Sequence, residues 1–85
     1  MAYRVTFAKP ARKELEKFDE NIGIRIINKI ETLVSNPRPS GCKKIRGEEN
    51  LWRIRSGDYR IVYSINDEKE SVDISVIRHR RDVYR

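Results

Sequence analysis

The hydrophobic and polar positions divide the chain into six segments with two different periods. Residues 2–7 alternate, with Tyr3, Val5 and Phe7 on one side, which predicts a first strand. Lys9-Pro10 ends it, and proline is well suited to the first turn of a helix. The period then becomes helical: Ala11, Leu15, Phe18 and Ile22 recur on one face, with Arg12, Lys13, Glu16 and Lys17 opposite. Asp19 and Asn21 are cap-type residues that divide this stretch in two. A second helix is therefore predicted to about Ser35, with Ile26, Ile27, Ile30, Leu33 and Val34 as its apolar face. Asn36-Pro37-Arg38-Pro39-Ser40-Gly41 stops it, since neither proline can continue a helix. A polar stretch follows to Asn50.

From Leu51 the period is two again. Two runs rich in Ile, Val, Tyr and Trp flank Ser56-Gly57-Asp58, which predicts a β-hairpin spanning Leu51 to Ile65. Alternation puts Leu51, Arg53 and Arg55 on one face of the first strand and Trp52 and Ile54 on the other. In the second strand Arg60, Val62 and Ser64 oppose Tyr59, Ile61, Tyr63 and Ile65. The acidic run Asn66-Asp67-Glu68-Lys69-Glu70 reads as a solvated turn, and Ser71 to Ile77 as a last strand with Val72, Ile74 and Val76 on its apolar side. The order β-α-α-β-β-β predicts an α+β fold: a small, largely antiparallel sheet with a two-helix hairpin packed on one face, residues 1–85 forming a single domain. The first strand must pair with one of the later three. The other sheet face stays open, and Arg53, Arg55 and Arg60 belong to it.

Composition sharpens this picture at three points. Nineteen Lys and Arg against thirteen Asp and Glu give a net charge of +6, a balance that favours anionic partners. The excess is spread along the chain, with 8 basic and 5 acidic residues in 1–42 and 11 and 8 in 43–85, so a basic patch has to be made by folding. A single cysteine, Cys42, can form neither an internal disulfide nor, alone, a thiolate zinc site. Arg4 and Lys9 interrupt the short apolar start, and no apolar run approaches the roughly 20 residues that span a bilayer. The expected location is the cytoplasm.

The residues that bear chemistry are few. The chain has no glycine-rich phosphate loop, no second histidine and no hydrolase signature around Ser56, Ser64 or Ser75. What remains is Arg53, Arg55 and Arg60, the run Arg78-His79-Arg80-Arg81, and Tyr84. Arginine binds phosphate bidentately, stays charged, and can neutralise the charge that builds on a phosphodiester under attack. His79 is the one side chain that ordinarily exchanges protons near neutral pH, and Tyr84 could stack on a base or bond a phosphate. Together these suffice for cleavage of RNA by its own 2′-hydroxyl, without metal or cofactor. Each residue alone also has a structural reading: a solvated strand face for Arg53 and Arg55, an ion pair for Arg60, core for Trp52, C-terminal packing for Tyr84. Lys43, Lys44 and Arg46 read either as a solvated basic loop or as RNA contacts.

The segment Leu51-Trp52-Arg53-Ile54-Arg55-Ser56-Gly57-Asp58-Tyr59-Arg60-Ile61-Val62-Tyr63, the preceding Lys44-Ile45-Arg46-Gly47 and the ending Ile77-Arg78-His79-Arg80-Arg81-Asp82-Val83-Tyr84-Arg85 resemble the RelE branch of the RelE/ParE toxin superfamily. The likeness covers nearly the whole chain, including the Met-Ala-Tyr start and the Asn36-Pro37-Arg38 helix stop. It implies a RelE-like, microbial-RNase-type fold and a toxin of a type II toxin–antitoxin pair that cleaves messenger RNA in the ribosomal A site. The partners implied are a RelB-like antitoxin, the ribosome and mRNA. The family's catalytic positions fall on Arg53, Arg55, Arg60, Tyr84 and either Arg78 or His79. Lys43, Lys44, Arg46, Arg78, Arg80 and Arg81 are the implied RNA-binding residues. Some family members carry lysine where this chain has Arg53 and Arg55, and arginine cannot act as a base. Proton transfer is therefore expected to rest on His79, with Tyr84 as its companion. Two other functions fit the same resemblance: ParE-like inhibition of DNA gyrase, and a non-catalytic protein that binds RNA or antitoxin.

Overall fold

A computed structural model describes residues 2–81. Strand β1 (Arg4–Phe7) leads into helices α1 (Lys9–Lys17) and α2 (Glu20–Ser35). Strands β2 (Lys43–Lys44), β3 (Leu51–Ser56), β4 (Tyr59–Asn66) and β5 (Ser71–His79) follow. The five strands form one sheet in the order β1-β5-β4-β3-β2, with only the β1–β5 pair parallel. The chain thus leaves β1 at one edge of the sheet, crosses its face as a helical hairpin, and re-enters at the opposite edge. It then returns strand by strand until β5 docks against β1. None of the described helices is long and apolar enough to cross a membrane.

The predicted helix boundaries hold for identifiable reasons. Pro10 lies in the first turn of α1, where no amide is needed. Asp19 is the N-cap of α2, its carboxylate accepting from the Ile22 amide at 2.9 Å, while Asn21 is simply helical. Helix α1 lies against β5, and α2 against β1 and β3. Ala11, Ile26, Ile30 and Leu33 bury themselves on Ile54, Ile61, Tyr63, Ile65, Val72, Ile74 and Ile77, all on one side of the sheet.

Three features depart from the sequence reading. The polar stretch before Asn50 contains the short edge strand β2, its Lys43 opposite Arg53. Strand β5 runs on to His79. It also contains a bulge: Val62 pairs with Val76 but Tyr63 pairs with Ile74, leaving Ser75 as an extra residue. The extra residue reverses the alternation, so Ile77 takes the core position expected of Val76, which lies on the open face. In an unbroken strand Arg78 would follow Val72 and Ile74 onto the core side.

Two contacts tie the turns to this framework. The fully buried Tyr63 hydroxyl donates to the Pro37 carbonyl at 2.8 Å, and burial holds the phenol protonated well above its usual range. Tyr63→Phe leaves that carbonyl without its donor, so urea unfolding should show a loss of about 1–2 kcal/mol. At the surface, Arg38 lies over the Trp52 ring at 5.1 Å and donates twice to Asp67, at 3.2 and 3.0 Å. Tyr3 donates to the same carboxylate at 2.7 Å. The bond from Arg38, then that from Tyr3, holds the Asp67 carboxyl below its ordinary range. A depressed carboxyl stabilises the fold above its unfolded value of about 3.9, and that contribution disappears as pH falls through the folded value. The urea midpoints of wild type and Asp67→Asn should therefore differ at neutral pH and converge below about pH 4.

Candidate active site on the open face of the sheet

The register arranges the open face in rows. Arg55 pairs with Arg60, and Arg60 pairs with Arg78, so three arginines stand side by side across β3, β4 and β5. The next row is Lys43, Arg53, Val62 and Val76. The row beyond it, Leu51, Ser64, Asp73 and Thr6, carries no cation. Positive charge on this face is thus concentrated at the end of the sheet formed by the β3–β4 turn and the end of β5, with Arg4 alone in the row of Ser71 and Asn66 at the other end. The hairpin turn there is two residues long, with Gly57 at φ +60°, a conformation that suits glycine.

Two hollows meet at Arg60, the middle residue of the arginine row. The larger, about 560 Å³, is lined by Lys43, Lys44, Arg46, Arg53, Arg60 and Arg78 over Ile45 and Val62. The smaller, about 230 Å³, is lined by Arg55, Arg60 and Arg80 around the turn Gly57-Asp58-Tyr59. Among the described residues, no carboxylate forms an ion pair with Arg53, Arg55, Arg60 or Arg78; the ion pairs are Lys17–Glu14, Arg38–Asp67 and Arg80–Asp58. Like charges directly opposite one another in a sheet repel. A row of three such residues, with a groove beside it, has the charge and shape to take a polyanionic backbone.

The remaining candidates are placed as follows. Arg78, not His79, stands beside Arg60 on the open face. The His79 ring is on the helix side, edge-on to Tyr59 at 5.1 Å, and Tyr59 is edge-on to Phe18 at 4.9 Å. The expectation that His79 joins the arginines is corrected by the bulge at Ser75, which sets the phase of both residues. Arg81 follows in a short turn beside Asp58, His79 and Arg80. Trp52 is on the core side beneath Arg38. Tyr84 lies outside the described residues. Asp58 is a participant that the sequence does not reveal: its carbonyl accepts from the Arg80 amide at 2.7 Å, and its carboxylate is 3.7 Å from the Arg80 guanidinium. Nothing in the spacing connects a turn residue at 58 with position 80.

The family model for the ParE toxin of type II toxin–antitoxin systems, parDE, matches residues 5–84, which places the chain among the toxins of such systems. It is 33% identical over 88 residues to the mRNA interferase toxin RelE of Escherichia coli, across 99% of this chain and 92% of that protein. It is 34% identical over 85 residues to toxin RelE of Mycobacterium tuberculosis, across 98% of this chain and 87% of that one. The fold matches the crystal structure of the archaeal RelE–RelB complex from Pyrococcus horikoshii with a TM-score of 0.82 at 29% identity, over 94% and 97% of the two chains. The chain belongs to the RelE/ParE superfamily, in its RelE branch.

The crowded arginines make a thermodynamic prediction. Arg60 has an arginine on either side, so Arg60→Gln should raise stability in low salt, by on the order of 0.5 kcal/mol. The gain should shrink as sodium chloride is added and the repulsion is screened. Melting temperatures of the two proteins at several ionic strengths measure both effects.

Proposed function

We propose that this chain is a ribosome-dependent mRNA interferase, the toxin of a type II pair, held inactive by a RelB-like antitoxin. The observation that carries the reading is the Arg55–Arg60–Arg78 row, set beside a groove lined by Arg53, Lys43, Lys44 and Arg46. The name of the E. coli relative, mRNA interferase toxin RelE, supports the activity. The RelE–RelB complexes among its structural neighbours support the antitoxin.

In the proposed mechanism the groove takes the mRNA backbone, and Arg53, Arg55, Arg60 and Arg78 grip the scissile phosphate through paired N–H bonds. As the 2′-hydroxyl attacks, their fixed charge meets the negative charge gathering on the phosphoryl oxygens. The face offers guanidiniums and ammoniums for this task, groups that bind phosphate and do not ligate metals, in keeping with metal-independent cleavage. Arginine can neither take the proton from the 2′-hydroxyl nor readily give one to the leaving oxygen. Giving the proton to the leaving oxygen is assigned to the phenol of Tyr84, six residues beyond Arg78 in the chain, while the 2′-hydroxyl proton passes to water, from which the phenolate is reprotonated. The antitoxin would present acidic side chains to the same cations and fold as it binds. Such a toxin acts in the cytoplasm, where its ribosomes are.

Induced expression, with protein synthesis and DNA supercoiling measured separately, tests the function. Synthesis should stop while supercoiling stays normal; loss of supercoiling with synthesis intact would make the chain a gyrase inhibitor instead. On purified ribosomes, replacing Arg53, Arg55 and Arg60 together by Ala should abolish mRNA cleavage, each lost contact being worth about 1–3 kcal/mol. Tyr84→Phe should slow single-turnover cleavage by about 10²–10⁴-fold. Cleavage at the wild-type rate by either variant would remove those residues from the mechanism.

A further inference from the structure

We propose that His79 is a positioning residue, holding the turn at residues 80–81 so that Arg80 joins Arg55 and Arg60 at the phosphate. The inference rests on the function just proposed and adds a role that none of the family comparisons assigns.

Three observations place the histidine in this role. Its Nδ1 accepts the Arg81 amide at 3.1 Å. Its ring is fixed edge-on against Tyr59, which is itself fixed against Phe18 at the end of α1. On the opposite side of the turn the Arg80 amide donates to the Asp58 carbonyl at 2.7 Å, and the Arg80 side chain lines the hollow it shares with Arg55 and Arg60. The segment is thus gripped twice, by Asp58 at residue 80 and by His79 at residue 81. A bond through Nδ1 requires the neutral ring with its hydrogen on Nε2. The charged and titratable groups sharing the hollows around the ring are Arg25 of α2, Asp58 of the hairpin turn, Tyr59 of β4, and Arg80 and Arg81 of the turn itself.

Asparagine tests the proposal, because its side-chain oxygen can accept where Nδ1 does but cannot serve as a general acid or base. Single-turnover mRNA cleavage on ribosomes and hydrogen exchange at the Arg81 amide would be measured for wild type, His79→Asn and His79→Ala. His79→Ala should lose about tenfold in cleavage, as misplacement of a binding group does, and its Arg81 amide should exchange freely. His79→Asn should keep both within about threefold. Combining His79→Ala with Arg80→Ala should cost little more than Arg80→Ala alone, since one acts through the other. A His79→Asn protein as slow as His79→Ala with its Arg81 amide still protected would overturn the proposal in favour of proton transfer by the ring. Wild-type cleavage by His79→Ala would overturn it as well. If the wild type cleaves no mRNA, the proposed function fails, and amide exchange alone decides the latch. Protection in wild type and Asn but not in Ala upholds it, and equal exchange in all three overturns it.

Discussion

One residue too many in β5 is the constraint on which the sheet depends. Between its pairings with Val62 and Tyr63 the strand must accommodate Ser75, and this half-step decides which side chains reach which side. It turns Ile77 into the core and Arg78 out beside Arg60. Val76 takes a place beside Val62 in the open face rather than beneath the helices. A strictly alternating β5 would bury a guanidinium without a partner, which is far costlier than the loss of a few ladder bonds. The bulge therefore serves the core and the charged face at once.

The two ends of the open face are treated differently. Toward the β4–β5 turn cations are sparse: Arg4 stands in a row with Ser71 and Asn66, and Asp73 accepts from Thr6 at 2.7 Å. Toward the β3–β4 turn, three arginines crowd together without a carboxylate of their own among the described residues. Repulsion of that kind is tolerable because the stabilising burial lies on the other side of the sheet, in a cluster from Ala11 to Ile77 that contains no buried charge. Separating core and charge by one strand thickness lets the face be selected for ligand rather than for stability.

Much of this was legible in the sequence, because it depends on local period. The helix break at Asp19, the hairpin about Gly57 and the shared face of Arg53, Arg55 and Arg60 all follow from spacing and turn chemistry. What was hidden depends on pairing between distant segments. Strand β2 has only two residues, and Lys43 and Lys44 carry no strand signal until β3 lies beside them. The bulge is invisible because Val72, Ile74 and Val76 alternate perfectly, and only the register with β4 dictates that Val76 must yield its place to Ile77. The choice between Arg78 and His79 at the site inherits that ambiguity. Asp58 and position 80 meet only because β4 and β5 end at the same level.

The parallel pairing of β1 with β5 has a consequence for the order in which the protein comes into being. The first strand made, Arg4–Phe7, waits for the last, Ser71–His79, before its edge of the sheet is settled. Such a contact spans nearly the whole chain and is slow to close. The row Arg55–Arg60–Arg78 is completed by the same strand. A chain in which β5 has not yet docked therefore has no assembled arginine row, so closing the sheet and completing its charged face are one event.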